Sequence, residues 1–329
     1  MERILVRIPN WLGDALLARP LLHALRRAHP SASIRVVGPP PILELLSADP
    51  VADAWEPWPS EPEPRDAWVG RVRAWRPDAA LVLPPSFSSA WFAWRTGART
   101  RIGYAHEGRS PLLTRALRRP ARGERHLSDE YLELGRILGA APCAAPALAV
   151  RPAALHEART LLSARGIEKG RIAIVGPGAI YGPAKRWEPA RFVALAAALA
   201  RDGFRVLVCG APAERPLCAE VAARAGSGAH ALAGETGLAL QAGLCASASL
   251  AVCNDSGLAH LAAAVGTPTI VIFGSTSSAW SAPLGDHVRV VQQAPVCSPC
   301  FRRTCAIGYR CLTAIAVADV ERACREVAA

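Results

Sequence analysis

The 329 residues are 51% hydrophobic and 20% charged, a balance that suits a globular chain of one large or two medium domains. Met1-Glu2-Arg3 leads straight into Ile4-Leu5-Val6, which leaves no signal-peptide core, and Phe192–Ala200 and Leu258–Phe273 are too short or interrupted to span a bilayer. These features argue against an exported or membrane-spanning chain and for a soluble cytoplasmic one, while the net charge of +11 asks for an anionic partner: a phosphorylated ligand, nucleic acid or an anionic membrane face.

Arg3–Ile8 reads as the first strand, Pro9–Asp14 as a turn, Ala15–Ala28 as a helix and Ser33–Gly38 as the second strand. This βαβ opening lacks G-x-G-x-x-G, which argues against a nicotinamide or flavin dehydrogenase. Ile42–Ala48 reads as a helix, Ala79–Leu83 as a strand, Ser86–Arg95 as a helix and Arg101–Tyr104 as a short strand. Trp55, Trp58, Trp68, Trp75, Trp91 and Trp94 are dense here and suit core or groove walls, with contact to lipid or sugar as the alternative. Residues 95–125 carry Arg95, Arg99, Arg101, Arg109, Arg115, Arg118, Arg119, Arg122 and Arg125 against Glu107 and Glu124. That pattern is either a solvated loop or a cradle for a phosphorylated acceptor, since Arg pairs bidentately with phosphate.

Asp129–Leu138 reads as a helix, and the Ala/Pro-rich 139–152 as an interdomain connection. A helix at Ala153–Arg165 then leads into a second α/β series. It has a strand at Arg171–Val175, a Gly/Pro turn from Gly176 to Trp187, a helix at Pro189–Ala200 and a strand at Phe204–Cys209. The two halves open alike, which predicts twin Rossmann-like domains of about residues 1–150 and 151–329. Further helices are expected at Arg215–Ala225, after Gly237 and at Val317–Val327, with a late strand at Val288–Val291.

Leu250–Cys253 reads as a buried parallel strand, followed by the helix-start residues Asn254, Asp255 and Ser256 and by Gly257. Leu258, Leu261, Ala262 and Val265 keep helical spacing, and Thr269–Gly274 is the next strand. A helix N-terminus at the end of a parallel strand is a ready anion site, though an ordinary crossover has the same pattern. The polar residues Asp14, Lys185, Glu214 and Asp255 each follow a strand, where doubly wound sheets bind ligands. Lys occurs only at Lys169 and Lys185 in this Arg-rich chain, which marks Lys185 as a place needing a compact ammonium.

Four segments carry a resemblance: Pro9–Asp14, Gly178 through Lys185-Arg186-Trp187, Gly210–Glu214, and Asn254–Leu261. Together they resemble the ADP-heptose:lipopolysaccharide heptosyltransferases of glycosyltransferase family 9, the heptosyltransferase II branch above all. The resemblance implies a GT-B fold of two Rossmann-like domains facing across a cleft. The N-terminal one would bind the acceptor and the C-terminal one the nucleotide sugar, with the last helix packing back on the first domain. It implies inverting, metal-independent transfer of L-glycero-D-manno-heptose from ADP-heptose to the inner core of lipopolysaccharide, by a monomer working in the cytoplasm or peripherally at the inner membrane face.

Residue by residue, the resemblance makes Asp14 the general base and Lys185 the group that stabilises the departing ADP. The plain alternatives are a helix cap for Asp14 and a solvated loop lysine for Lys185. Gly178, Lys185, Glu214 (ribose), Thr236 (adenine), Asp255, Ser256, Gly257 and His260 match donor-binding positions. Asp255 is expected to accept backbone N–H groups in its turn or to contact the heptose. Gly13, Arg99 and Arg101 are candidates for the phosphorylated acceptor. Ile180 and Tyr181 depart from the family pattern, which often has polar residues there, and this leaves the donor sugar open.

Cys297, Cys300, Cys305 and Cys311 are spaced C-x2-C-x4-C-x5-C and form a candidate structural zinc or iron site not needed for catalysis; reduced thiols are the alternative. Cys143, Cys209, Cys218, Cys245, Cys253 and Cys324 suit small core positions. Three other readings remain at this stage. One is a related enzyme using a different nucleotide sugar or acceptor. Another is a catalytically inactive sugar-nucleotide sensor. The third is a basic nucleic-acid-binding protein with a Cys metal site, which is not expected because residues 95–125 lack interleaved aromatics and no standard module is present.

Overall fold

The computed structural model describes residues 1–59, 62–167 and 170–328, with the side chains of 62–65 and 328 left aside; Lys169 lies outside the described residues. The chain divides into two units, Met1–Pro146 and Ala147–Ala329. The division falls inside the Ala/Pro-rich connection, just before the sequence-based boundary.

In the first unit β1 (Arg3–Arg7) is followed by α1 (Leu12–Leu17), α2 (Arg19–Ala28), β2 (Ser33–Gly38), α3 (Pro40–Leu46) and β3 (Ala54–Pro57). Next come α4 (Pro62–Ala74), β4 (Ala79–Val82), α5 (Phe87–Arg95), β5 (Thr100–Tyr104), β6 (Arg115–Leu117) and α6 (Leu127–Arg136). All six strands are parallel, in the order β3-β2-β1-β4-β5-β6. Ile4, Leu5, Val6, Ala79, Ala80, Leu81 and Val82 are all buried, as expected for central strands covered on both faces. The single helix read over 15–28 is two helices. Pro20 has no N–H to give to the preceding turn, and its ring crowds the carbonyl of Leu16, so α1 ends and α2 restarts with Pro20 in its first turn.

In the second unit α7 (Pro152–Ala164) precedes β7 (Arg171–Gly176), α8 (Pro189–Arg201), β8 (Phe204–Val208), α9 (Arg215–Ala225) and β9 (Ala229–Ala231). Then follow α10 (Leu238–Ala246), β10 (Leu250–Asn254), α11 (Gly257–Ala264), β11 (Thr269–Phe273), α12 (Ser278–Ser281) and β12 (Val288–Gln292). Two last helices, α13 (Arg310–Thr313) and α14 (Val317–Ala328), close the chain. The strands are again parallel, in the order β12-β11-β10-β7-β8-β9. Numbered within their own units, both sheets have the doubly wound order 3-2-1-4-5-6. α14 packs on β10, β11, β12 and α8, and its Val320, Ala323 and Cys324 enter the same core as Trp187 and Phe192.

Trp187 is the largest fully buried side chain among the described residues. Its ring meets Phe192 edge to face at 5.1 Å, and its indole N–H donates to the Ile315 carbonyl at 3.0 Å. An aromatic buried with its polar atom satisfied contributes both area and geometry. Trp187→Ala is expected to cost about 3–5 kcal/mol, read as a lower denaturant midpoint; an unchanged midpoint would remove Trp187 from the core argument.

Candidate active site

Each doubly wound sheet reverses its strand order at one point, and the loops there splay apart to leave a crevice. In the second unit that point lies between β7 and β10. The loop after β7 carries Gly178 and Lys185, and the turn after β10 carries Asp255, Ser256 and Gly257. The flanking strands β8 and β11 bring Glu214 and Thr276 to the same edge. Sequence-distant residues therefore gather because parallel strands end side by side.

Asn254 holds these loops. It has no exposed surface; its Oδ1 accepts from the Trp187 backbone N–H at 3.0 Å, and its Nδ2 donates to the Pro177 carbonyl at 2.7 Å. Asp255 is 3% exposed. Its Oδ2 lies 2.6 Å from Lys185 Nζ and accepts from Thr276 Oγ1 at 2.5 Å. The expectation that Asp255 would bond backbone N–H groups is thus replaced by an ion pair with the site's own lysine. The reason is geometric: β7 and β10 are hydrogen-bonded neighbours, so their following loops share one space. The Lys185 ammonium also lies 5.0 Å from the centre of the Tyr181 ring, a cation–π distance.

Ser256 is the N-cap residue of α11, but its side chain does not bond the first-turn N–H groups. The start of α11 therefore offers donors and the positive end of a helix dipole beside Lys185. His260, on the first turns of α11, is 6% exposed and buried among this unit's residues. Glu214, at the head of α9, is 8% exposed. One of its oxygens accepts from the Ala211 N–H at 2.9 Å, while Oε1 is buried with no hydrogen-bond partner among the described residues. A buried carboxylate oxygen without a partner fits a ligand donor such as a sugar hydroxyl. Gly178 makes the approach feasible, because a Cβ there would sit 2.1 Å from the Glu214 carboxyl carbon. Thr236 Oγ1 donates to Gln241 Oε1 at 2.9 Å, ahead of α10.

In the first unit Asp14 is the third residue of α1, and the N-cap position belongs to Trp11. The cap alternative for Asp14 is therefore not what the fold uses. The carboxylate is half-buried, and burial first, then the Asp14 charge, raises the buried Tyr131 phenol well above its ordinary range. Arg7, 4% exposed at the end of β1, bonds Asn10 Oδ1 and so steadies the turn that leads to Asp14. Burial lowers the Arg7 guanidinium to about 10. Gly13 lies in the same first turn as Asp14.

The basic stretch is not one surface. Arg109 is completely buried, donating to the carbonyls of Tyr104, Pro84 and Ser86 and to Ser89 Oγ. Arg101 donates to the carbonyls of Leu112 and Ala98, at 2.7 and 2.6 Å, and Arg99 is exposed just before β5. Arg118, Arg119 and Arg122, with His106, line an open depression of about 550 Å³. Arg119 is braced there by the buried Glu130 at 3.0 Å. The sequence did not single out this subset, because spacing alone does not separate a buried arginine from an exposed one.

Among the described residues no group of three or more His, Cys, Asp or Glu is placed to hold a metal ion, and Cys297, Cys300, Cys305 and Cys311 do not form such a group here. Cys311 is drawn into the core by α13, Cys305 Sγ accepts the Tyr309 N–H at 3.3 Å, and Cys297 and Cys300 are exposed. The segment instead straps the site's loops. Ala184 N–H donates to the Arg303 carbonyl, Tyr181 OH to the Phe301 carbonyl, and Cys300 and Phe301 N–H groups to the Ser275 carbonyl. Gly182, at φ +150°, sits where a Cβ would lie 2.6 Å from that Arg303 oxygen, so only glycine admits the strap.

Two Rossmann-like units, one of them presenting a lysine, a helix start and a buried acid at its switch point, have the architecture of the GT-B class of glycosyltransferases. The family pattern of glycosyltransferase family 9 (heptosyltransferase) matches residues 67–309. Lipopolysaccharide heptosyltransferase 2 of Salmonella typhimurium is 31% identical over 306 residues, covering 88% of each chain. The solved structure of Escherichia coli ADP-heptose LPS heptosyltransferase II superposes with a TM-score of 0.83 at 28% identity, covering 99% of this chain and 98% of that one. A family 9 glycosyltransferase from Veillonella parvula shares the fold, with a TM-score of 0.86 at 21% identity and coverage of 99% and 97%. The chain belongs to glycosyltransferase family 9, the heptosyltransferases, and is an enzyme; family membership displaces the nucleic-acid-binding alternative.

The Lys185→Met and Asp255→Asn single variants and their double variant should show a coupling of about 1–3 kcal/mol in stability; additive losses in chemical denaturation would mean the pair is not formed. Backbone N–H groups of Ile307 and Tyr309, then Arg302 and Arg310, hold the Cys305 thiol below its ordinary value, whereas burial pushes Cys209, Cys218 and Cys245 up to about 12. Brief iodoacetamide treatment near neutral pH should label Cys305 ahead of those three by peptide mass mapping, and the reverse order would contradict the assignment.

Proposed function

We propose that the protein transfers L-glycero-D-manno-heptose from ADP-heptose to a phosphorylated inner-core acceptor of lipopolysaccharide, with inversion at the anomeric carbon. The observation that carries the reading is the Lys185–Asp255–Thr276 cluster at the head of α11, in a chain that belongs to family 9. The names of its relatives, lipopolysaccharide heptosyltransferase 2 in Salmonella typhimurium and ADP-heptose LPS heptosyltransferase II in Escherichia coli, point to the same donor and acceptor.

In this mechanism the acceptor hydroxyl oxygen attacks the anomeric carbon from the face opposite the ADP. The bond from that carbon to the phosphate oxygen breaks, and its electron pair stays on ADP. Asp14, the general base, takes the hydroxyl proton. Lys185 and the N–H groups at the start of α11, with Ser256 and Gly257, neutralise the charge that grows on the diphosphate. Charge stabilisation comes from these groups, so the mechanism assigns no step to a metal.

Asp255 holds the Lys185 ammonium in place before the donor arrives, and its carboxylate then faces the heptose. The partnerless Oε1 of Glu214 accepts from a ribose hydroxyl beside Gly178. Thr236 borders the adenine, and His260 orders the helix start. In the acceptor-binding unit Gly13 precedes Asp14 in the first turn of α1 and is assigned to the acceptor. Arg99, and the arginines around His106, meet the acceptor's phosphates; Arg101, whose guanidinium already holds two carbonyls, shapes that region.

Purified protein with ADP-heptose and a delipidated core acceptor should yield an acceptor one heptose heavier by mass spectrometry, together with ADP. Product and UDP formed only from another nucleotide sugar would move the protein to a different donor. Asp14→Asn should lower kcat by about 10²–10⁴ with little change in donor KM. Lys185→Ala should lower kcat by about 10²–10³. Near-normal turnover of Asp14→Asn would exclude Asp14 as the base.

A further inference from the structure

α5 is apolar on two faces, and only one of them is used by the core. Ser89, Ala90, Phe92 and Ala93 point inward, with Phe92 packed on Trp58 and Trp68 at 5.0 and 5.1 Å. The opposite stripe is Phe87, Trp91 and Trp94, at i, i+4 and i+7, which a helix places in one line. Their exposures are 47%, 43% and 47%. The rings stack along the helix: Phe87 on Trp91 with centroids 6.4 Å apart and planes at 16°, and Trp91 on Trp94 at 4.9 Å and 25°. Stacking orders the three side chains before anything binds, so little rotamer freedom is left to lose on docking.

The surroundings are basic. Arg95 follows Trp94 directly, and the Arg73 stem lies against Gly97 just past the helix end. Arg71, Arg73 and Arg76 are exposed at the end of α4, which packs beside α5. Among the described side chains, Asp66 pairs with Arg95, and Glu107 accepts the Phe87 N–H at 3.2 Å and lies 3.6 Å from His106. Amphipathic aromatic rings beside snorkelling arginines match the boundary between lipid headgroups and acyl chains. A sugar platform would instead sit in a concave site with polar groups placed for hydroxyls, whereas these rings line an open helix face.

We propose that the Phe87–Trp91–Trp94 ladder docks this enzyme on an anionic phospholipid bilayer. α5 lies in the plane of the interface, the rings enter the headgroup region, and the flanking arginines pair with lipid phosphates. The proposal concerns binding and stands independently of the donor sugar.

The test is co-sedimentation of the full-length protein with phosphatidylglycerol/phosphatidylethanolamine vesicles and with pure phosphatidylcholine vesicles. Preferential partition to the anionic vesicles is expected, and Trp91→Ser with Trp94→Ser should weaken it at least about tenfold. The double variant should keep the parent's circular dichroism and its transfer to a soluble acceptor. Quenching of the parent's tryptophan emission by brominated phosphatidylglycerol gives a second readout that needs no variant. The proposal is overturned if the parent ignores anionic vesicles, if brominated lipid leaves its emission unchanged, or if the double variant sediments as the parent does. It is also overturned if the variant keeps vesicle binding and loses only affinity for soluble core oligosaccharide, the mark of a glycan platform.

Discussion

Asn254 has no exposed surface, so its amide must find partners inside the protein. It finds them on the loop that follows the neighbouring strand, accepting from Trp187 N–H and donating to the Pro177 carbonyl. One amide thereby spans the switch point of the second sheet and fixes both ends of the segment that carries Gly178 and Lys185. Trp187, at one end of that segment, is itself sunk in the core. The site's loops are therefore held by the same packing that stabilises the unit, which is how a polar site is kept rigid.

Electrostatics then arranges what the loops carry. Lys185 and Asp255 are mostly removed from water, and each makes the other's burial tolerable. Thr276 adds a hydrogen bond to the same carboxylate oxygen, and the Cys segment pins the Lys185 loop through backbone hydrogen bonds. That segment acts as a strap through the carbonyls of Arg303 and Phe301 and the N–H groups of Cys300 and Phe301. Only Gly182 lets it approach so closely.

The first unit spends its arginines differently. Arg109 is an internal brace for the loop after β4, Arg7 steadies the turn before Asp14, and Arg119 leans on Glu130 at the edge of an open basic depression. The tryptophans divide in the same way. Trp68 is buried, Trp58 and Trp75 pack against the core, and Trp91 and Trp94 are left facing solvent. Composition counted all of them alike.

Much of the architecture was legible in the sequence because local rules carry it. Short apolar runs such as Leu250–Cys253 and Thr269–Phe273, bounded by turn residues, read as buried parallel strands, and the turn residues after them mark where helices begin. Short elements escaped: β3, β6 and β9 are edge or near-edge strands of three or four residues, stabilised by pairing that no local pattern records. Pro20 was visible, yet its effect in dividing the first helix was not anticipated. Residue identities put Lys185, Glu214 and Asp255 after strands, and the second sheet's order then paired Lys185 with Asp255 and set Glu214 against Gly178. What only the tertiary structure decided is who pairs with whom: Asp255 with Lys185 and Thr276, Asn254 with the opposite loop, and four cysteines with no shared metal group. Those outcomes depend on the strand order and on which side chains lose access to water, quantities set by contacts between residues far apart in the chain.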